Sequence, residues 1–95
     1  MARLVISPLA EKDLNDILEY ISRDKPEAAI RWVEKIHDTF KVVAENPEIG
    51  ERRAEFKSGN IRSTLVGSYV VFYRAIIDGI EIARVVSGAR DFRDL

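Results

Sequence analysis

The chain has 95 residues, 46% of them hydrophobic and 33% charged, with a formal net charge of −1. That length allows one domain, residues 1–95, with a modest core, and the near-neutral balance argues against binding bare nucleic acid through a broad field. Cysteine is absent, which excludes a disulfide scaffold, a thiolate metal site and a cysteine nucleophile, and fits a reducing cytoplasm. No apolar run approaches the ~20 residues of a membrane span and no secretory signal precedes the first strand, so a cytoplasmic protein without membrane contact is expected.

Residues 3–6 read as a short strand. Ser7 then serves as N-cap and Pro8 as the first helical residue. Ala10, Leu14, Ile17, Leu18 and Ile21 form one apolar stripe, while Lys12, Asp13, Asp16, Glu19 and Arg23 fall on other faces. Asp13, Asp16 and Glu19 read as a solvated face rather than paired catalytic carboxylates. Asp24-Lys25-Pro26-Glu27 breaks this helix and opens a second, with Asp24 as the candidate cap because lysine caps poorly. The second stripe is Ala29, Ile30, Val33, Ile36, Phe40, Val43 and Ala44, and Asn46-Pro47 closes it. So short a connection implies an antiparallel αα-hairpin.

Residues 48–59 have little periodicity and read as a loop. Arg52, Arg53, Lys57 and Arg62 cluster about it, which fits a solvated loop first and a phosphate site second. Three strands follow, 60–66, 69–77 and 80–87, joined at Gly67-Ser68 and Asp78-Gly79, both hairpin signals. The order β-α-α-β-β-β implies an α+β fold, with the αα-hairpin on one face of a small antiparallel sheet.

Taking Asp78-Gly79 as a two-residue turn pairs Ile77 with Ile80, Ala75 with Ile82, Tyr73 with Arg84 and Val71 with Val86. Taking Gly67-Ser68 likewise pairs Val66 with Tyr69, Thr64 with Val71 and Arg62 with Tyr73. One face then carries Arg62, Tyr73 and Arg84 in a row, amid Val71, Ala75, Ile77, Ile80, Ile82 and Val86. The other carries Ile61, Leu65, Val70, Phe72, Ile76, Ala83 and Val85 and reads as the core face, with Arg74 snorkelling to the edge or pairing with Glu81. The arginine–tyrosine row has two readings, a solvated face with arginines stacked on a ring, or an anion or partner surface left open by the helices. His37 has no ligand partner at i±4 and reads as a boundary residue, and Trp32 as half-buried packing rather than a partner contact. Phe92 and Leu95 read either as a final turn placing Arg90 and Arg93, or as a frayed tail.

Residues 6–14, Ile17-Leu18-Glu19-Tyr20-Ile21, Pro26-Glu27-Ala28-Ala29, Asn46-Pro47-Glu48-Ile49-Gly50, Gly67 to Arg74 and Asp78 to Asp91 together resemble the ParE/RelE toxin superfamily, in its ParE-like branch. The resemblance runs over nearly the whole chain and rests on the ordered set, not on one motif. It implies the toxin of a bacterial type II toxin–antitoxin pair of the plasmid-stabilisation kind. ParE-like members, as usually described, inhibit DNA gyrase. A ParD-like antitoxin would neutralise the toxin through a partly disordered tail, laid on the apolar sheet face and the helix–sheet grooves. Operator DNA would be met only through the antitoxin. No cofactor or metal is implied.

RelE-like members instead cut mRNA on the ribosome. That chemistry needs a proton acceptor for the 2′-hydroxyl, a cation for the phosphate and help for the leaving oxygen. In that branch strand lysines, a middle-strand arginine, an arginine after the last strand and a terminal tyrosine supply these. Here Ile61 and Ser63 stand at the lysine positions, Val70 at the middle-strand arginine, and the chain ends at Leu95. Only Arg90 matches. The expectation is a binding inhibitor with no catalytic residue, in which Arg62, Tyr73, Arg84 and Arg90 contact the target or antitoxin. A weaker nuclease reading uses Arg62 and Arg84 on a phosphate, with Tyr73 moving a proton. A third is a module retaining only antitoxin binding and co-repression.

Overall fold

The computed structural model describes residues 2–56 and 60–88. Strand β1 spans Arg3–Ile6, helix α1 Pro8–Asp24 and helix α2 Pro26–Glu45. A single 3-10 turn, Pro47–Ile49, leads into a two-residue strand β2, Glu51–Arg52. Strands β3 (Ile61–Val66), β4 (Tyr69–Ile76) and β5 (Gly79–Ser87) complete the described elements. The expected α+β order is present. The stretch read as a loop contributes a 3-10 turn and an edge strand.

Ser7 caps α1 as its sequence implies, its hydroxyl accepting from the Ala10 N–H at 3.1 Å. The α1–α2 junction differs from expectation. Asp24 belongs to α1, and Lys25 stands at the cap position of α2 with no side-chain capping bond. Pro26 at the first position makes this tolerable, because one of the unbonded N–H groups is absent.

The sheet order is β1-β5-β4-β3-β2. The pairs among β2 to β5 are antiparallel, while β1 runs parallel to β5, which makes the sheet mixed. The αα-hairpin lies across one face. Ala10, Ile36, Phe40, Val43 and Ala44 from the helices meet Val66, Val71, Tyr73, Ile80, Ile82 and Val85 from the sheet. This inverts the expected core face: the face of Tyr73 is covered by helices, not open to a partner. Tyrosine beside arginine suggested solvent, but Tyr73 is 0% exposed. Its hydroxyl finds protein partners, so the ring can be buried without loss. On the opposite face Val70, Phe72 and Val86 form a smaller cluster with Ile61 and Phe56. Phe56 meets Phe72 edge-on at 5.2 Å, and the Arg53 guanidinium sits 5.6 Å over the Phe72 ring. Ile30 and Val33, placed on the α2 stripe by spacing, are 62% and 41% exposed.

The β3–β4 register is the expected one, with Val66 opposite Tyr69, Thr64 opposite Val71 and Arg62 opposite Tyr73. The β4–β5 register is not. Ile76 lies opposite Gly79, Ala75 opposite Ile80 and Tyr73 opposite Ile82, so the turn residues are Ile77 and Asp78. Asp78 takes the left-handed conformation, φ 62°, which aspartate tolerates better than most residues. Gly79 serves a different purpose, since a Cβ there would stand 1.8 Å from the Arg3 carbonyl oxygen. Asp-Gly therefore marks the turn, but its glycine serves the approach of β1. Arg74 does pair with Glu81, directly across rather than diagonally, at 2.7 Å. Beyond Tyr73 the ladder shifts, and Phe72 faces Arg84. Ala83 is the extra residue of a bulge. A bulge reverses which face each later residue meets. Val85 thus enters the helix-covered core and Val86 the opposite cluster.

The two glycine environments predict different costs. Gly79→Ala should lower unfolding free energy by at least ~2 kcal/mol in urea titration, because backbone must move. Gly67, at φ 61° with open space where a Cβ would stand, should cost only ~1–2 kcal/mol as alanine. Equal costs would refute the assignment.

Candidate functional site

Arg62 and Tyr73 meet across β3 and β4, as their register requires, and both reach the turn at 47–50. The Tyr73 hydroxyl donates to the Pro47 carbonyl and accepts from the Gly50 N–H, each at 2.8 Å. Arg62 Nη1 donates to the Gly50 carbonyl at 2.8 Å and the Glu48 carbonyl at 3.3 Å. Two side chains thereby satisfy four backbone groups of one turn that ladder bonds do not reach. Gly50 is required there, since a Cβ would stand 2.2 Å from the Tyr73 oxygen. Burial pushes the Tyr73 phenol above its ordinary value, while the Gly50 N–H and the Arg62 charge act the other way. A phenol so held is a poorer proton acceptor near neutrality.

Arg84 is elsewhere. Its Nε and Nη2 donate to the two Asp13 carboxylate oxygens at 2.8 and 3.0 Å, a bidentate pair from β5 to α1. The hydrogen bond to Asp13 raises the Arg84 pKa further. Asp13 also accepts from the Val85 N–H at 2.9 Å. The expected row of Arg62, Tyr73 and Arg84 is therefore broken by the bulge: the structure joins the first two and sends the third to α1. Arg90 lies outside the described residues, as do Phe92, Arg93 and Leu95.

Asp13, Pro47 and Gly50 are the residues missed by pattern reading. Asp13 had one signal, a position three after Ala10 on the border of the inward stripe. An arginine inside an apolar strand also demands an anionic partner. Nothing in the sequence points to the carbonyl of Pro47.

The positions that would carry nuclease groups are packed instead. Val70 is 6% exposed within the second cluster, and Ile61 packs against it. Ser63 is 6% exposed, with Arg53 Nη1 3.4 Å from its hydroxyl. Arg53 also pairs with Glu55 at 2.8 Å. Trp32 is half-buried against Tyr69, edge-on with ring centroids 5.5 Å apart, as its spacing implied. His37 is exposed. No helix among the described residues is long and apolar enough to cross a membrane.

Tyr73→Phe should cost ~1–3 kcal/mol, because it strands a buried N–H and a carbonyl. It should also change the alkaline limb. The folded Tyr73 pKa is raised, so its stabilisation is full below the unfolded value of about 10 and is lost as pH rises beyond it. Urea midpoints followed from neutral pH upward should fall less steeply in Tyr73→Phe than in the parent; parallel curves would contradict this.

Comparison with known proteins agrees with this architecture. The family described as the ParE toxin of the type II toxin–antitoxin system parDE matches residues 4–92. Toxin ParE1 of Caulobacter vibrioides is 33% identical over 89 residues, covering 93% of this chain and 91% of that protein. Toxin RelE3 of the same organism is 29% identical over 89 residues, covering 90% of this chain and 92% of its own. A solved chain of the chromosomal ParDE toxin–antitoxin system from P. aeruginosa superposes with a TM-score of 0.74 at 21% identity, over 92% of this chain and 96% of that one, and so shares the fold. With the helical hairpin, the sheet and the family match in agreement, the chain belongs to the ParE toxin family of type II toxin–antitoxin systems.

Proposed function

We propose that this chain is a cytoplasmic toxin that acts by binding DNA gyrase rather than by cutting RNA, and that a ParD-like antitoxin neutralises it. The observation that carries the reading is the state of the sheet face opposite the helices. Where strand lysines and an arginine would meet a phosphate, Ile61 and Val70 pack with Phe56, and Ser63 lies buried beside Arg53. Electrostatic stabilisation of a pentacoordinate phosphate needs cations aimed at the reacting atoms. Arg84 is committed to Asp13, Arg62 to two carbonyls, and Tyr73 to the turn at 47–50. The weaker nuclease set thus has Arg84 and Tyr73 engaged by the fold and Arg62 oriented through one nitrogen.

The antitoxin surface must move accordingly, since the Tyr73 face lies beneath the helices. Apolar side chains remain on the outside of the helical hairpin, where Tyr20 is 71% and Ile30 62% exposed. An amphipathic tail from a ParD-like partner would be received there. Operator DNA is contacted through that partner.

The similarity to Toxin RelE3 keeps ribosome-dependent mRNA cleavage as the competing reading. Purified protein titrated into a gyrase supercoiling reaction separates the two. Micromolar toxin should suppress supercoiling and leave ribosome-bound mRNA intact. Undisturbed supercoiling together with cut mRNA would overturn the proposal.

A further inference from the structure

Arg52 and Arg62 stand directly opposite each other on β2 and β3. Like charges facing across a ladder destabilise it. The geometry makes this pair a close one. The Arg53 N–H donates to the Ile61 carbonyl at 2.9 Å, which makes the adjoining Arg52–Arg62 pair the non-hydrogen-bonded kind, whose side chains come closest. Among the described residues neither arginine has an ion pair, and the Arg52 side chain has no hydrogen-bond partner. Both line an open depression of about 370 Å³ with Asn60, Ile61 and Ala75, and no carboxylate lines it. Arg62 is held by Nη1 alone, through the carbonyls of Glu48 and Gly50. Its guanidinium is oriented while its other N–H groups remain available.

We infer that Arg52 and Arg62 form a carboxylate clamp for an extended acidic peptide segment that pairs along the outer edge of β2. Among the described residues strand β2 ends the sheet, so one of its edges has no neighbouring strand there. In a non-hydrogen-bonded pair the Arg52 N–H and C=O point outward, toward that edge. A peptide strand added there would place the side chain opposite Arg52 on the arginine-bearing face. Ala75, on the same face, suits the methylene stem of an Asp or Glu, and Asn60 adds a neutral donor. Two arginines release few counterions, so a nucleic-acid backbone would be held weakly by a chain of net charge −1. The clamp does not depend on what the toxin's target is.

The test is a heteronuclear NMR titration of the full chain with a blocked hexapeptide of alternating Val and Glu. Saturable shifts are expected at the Arg52 amide and the Arg62 Nε–H, with affinity falling as salt is raised. Replacing the peptide's Glu by Gln, or Arg52→Gln in the protein, should each weaken binding about tenfold. Should Arg52→Gln fail to fold, the salt series and the Gln peptide decide on the parent protein alone. Equal binding of the Gln peptide, or tighter binding of hexathymidylate at the same resonances, overturns the clamp. A null or positive gyrase assay changes none of these outcomes.

Discussion

Strand β1 is shorter than the strand it joins, and the remainder of the fold depends on how the exposed edge of β5 is closed. β1 pairs with β5 only as far as Ile82. From there the start of α1 takes over. The Ser7 N–H donates to the Ile82 carbonyl at 3.0 Å, the Ser7 hydroxyl to the Ala83 carbonyl at 2.9 Å, and the Asp13 carboxylate receives the Val85 N–H. Ser7 at the same time caps α1, so one residue ends a strand, starts a helix and pairs a neighbouring edge. Asp13 adds the Arg84 guanidinium. The pair is largely screened from solvent, with side chains 14% and 22% exposed, so removing one partner costs more than it would in a surface ion pair. Helix, edge and bulge are thereby locked together, and Val85 is turned into the core.

That closure explains which parts of the fold could be read in advance. The α1 stripe, most of the α2 stripe, the three hairpin strands and the Gly67-Ser68 register follow from local chemistry, while Ile30 and Val33 of the α2 stripe face solvent. The β4–β5 register failed because Asp78-Gly79 carries two separate demands, a positive φ at Asp78 and a bare backbone at Gly79 against Arg3. Pattern reading assigns both to the turn. The bulge at Ala83 has no local signature; beside it the Val85 N–H bonds a carboxylate 72 residues earlier in the chain. The core face was inverted for a related reason: Tyr73 reads as polar, and its burial depends on Pro47 and Gly50, which no spacing connects to it.

Arg62, Tyr73 and Arg84 stand out in the sequence, but the intramolecular contacts that hold each of them do not. Two of them pin the 47–50 turn, and the third pins α1. Conspicuous polar residues in a sheet can thus be recruited by backbone groups and carboxylates of the same chain. On the other face of the sheet, Ile61 and Val70 pack with Phe56 and Phe72 and likewise serve the fold.

Arg84, on this view, serves the fold rather than a target. Measuring unfolding free energy and growth arrest together, across Asp13→Asn, Arg84→Gln and the double variant, tests this most directly. Similar losses are expected for the two single variants, with a coupling of about 1–3 kcal/mol in the cycle, and growth arrest should decline in step with the folded fraction. An Arg84→Gln protein as stable as its parent but unable to arrest growth would contradict it.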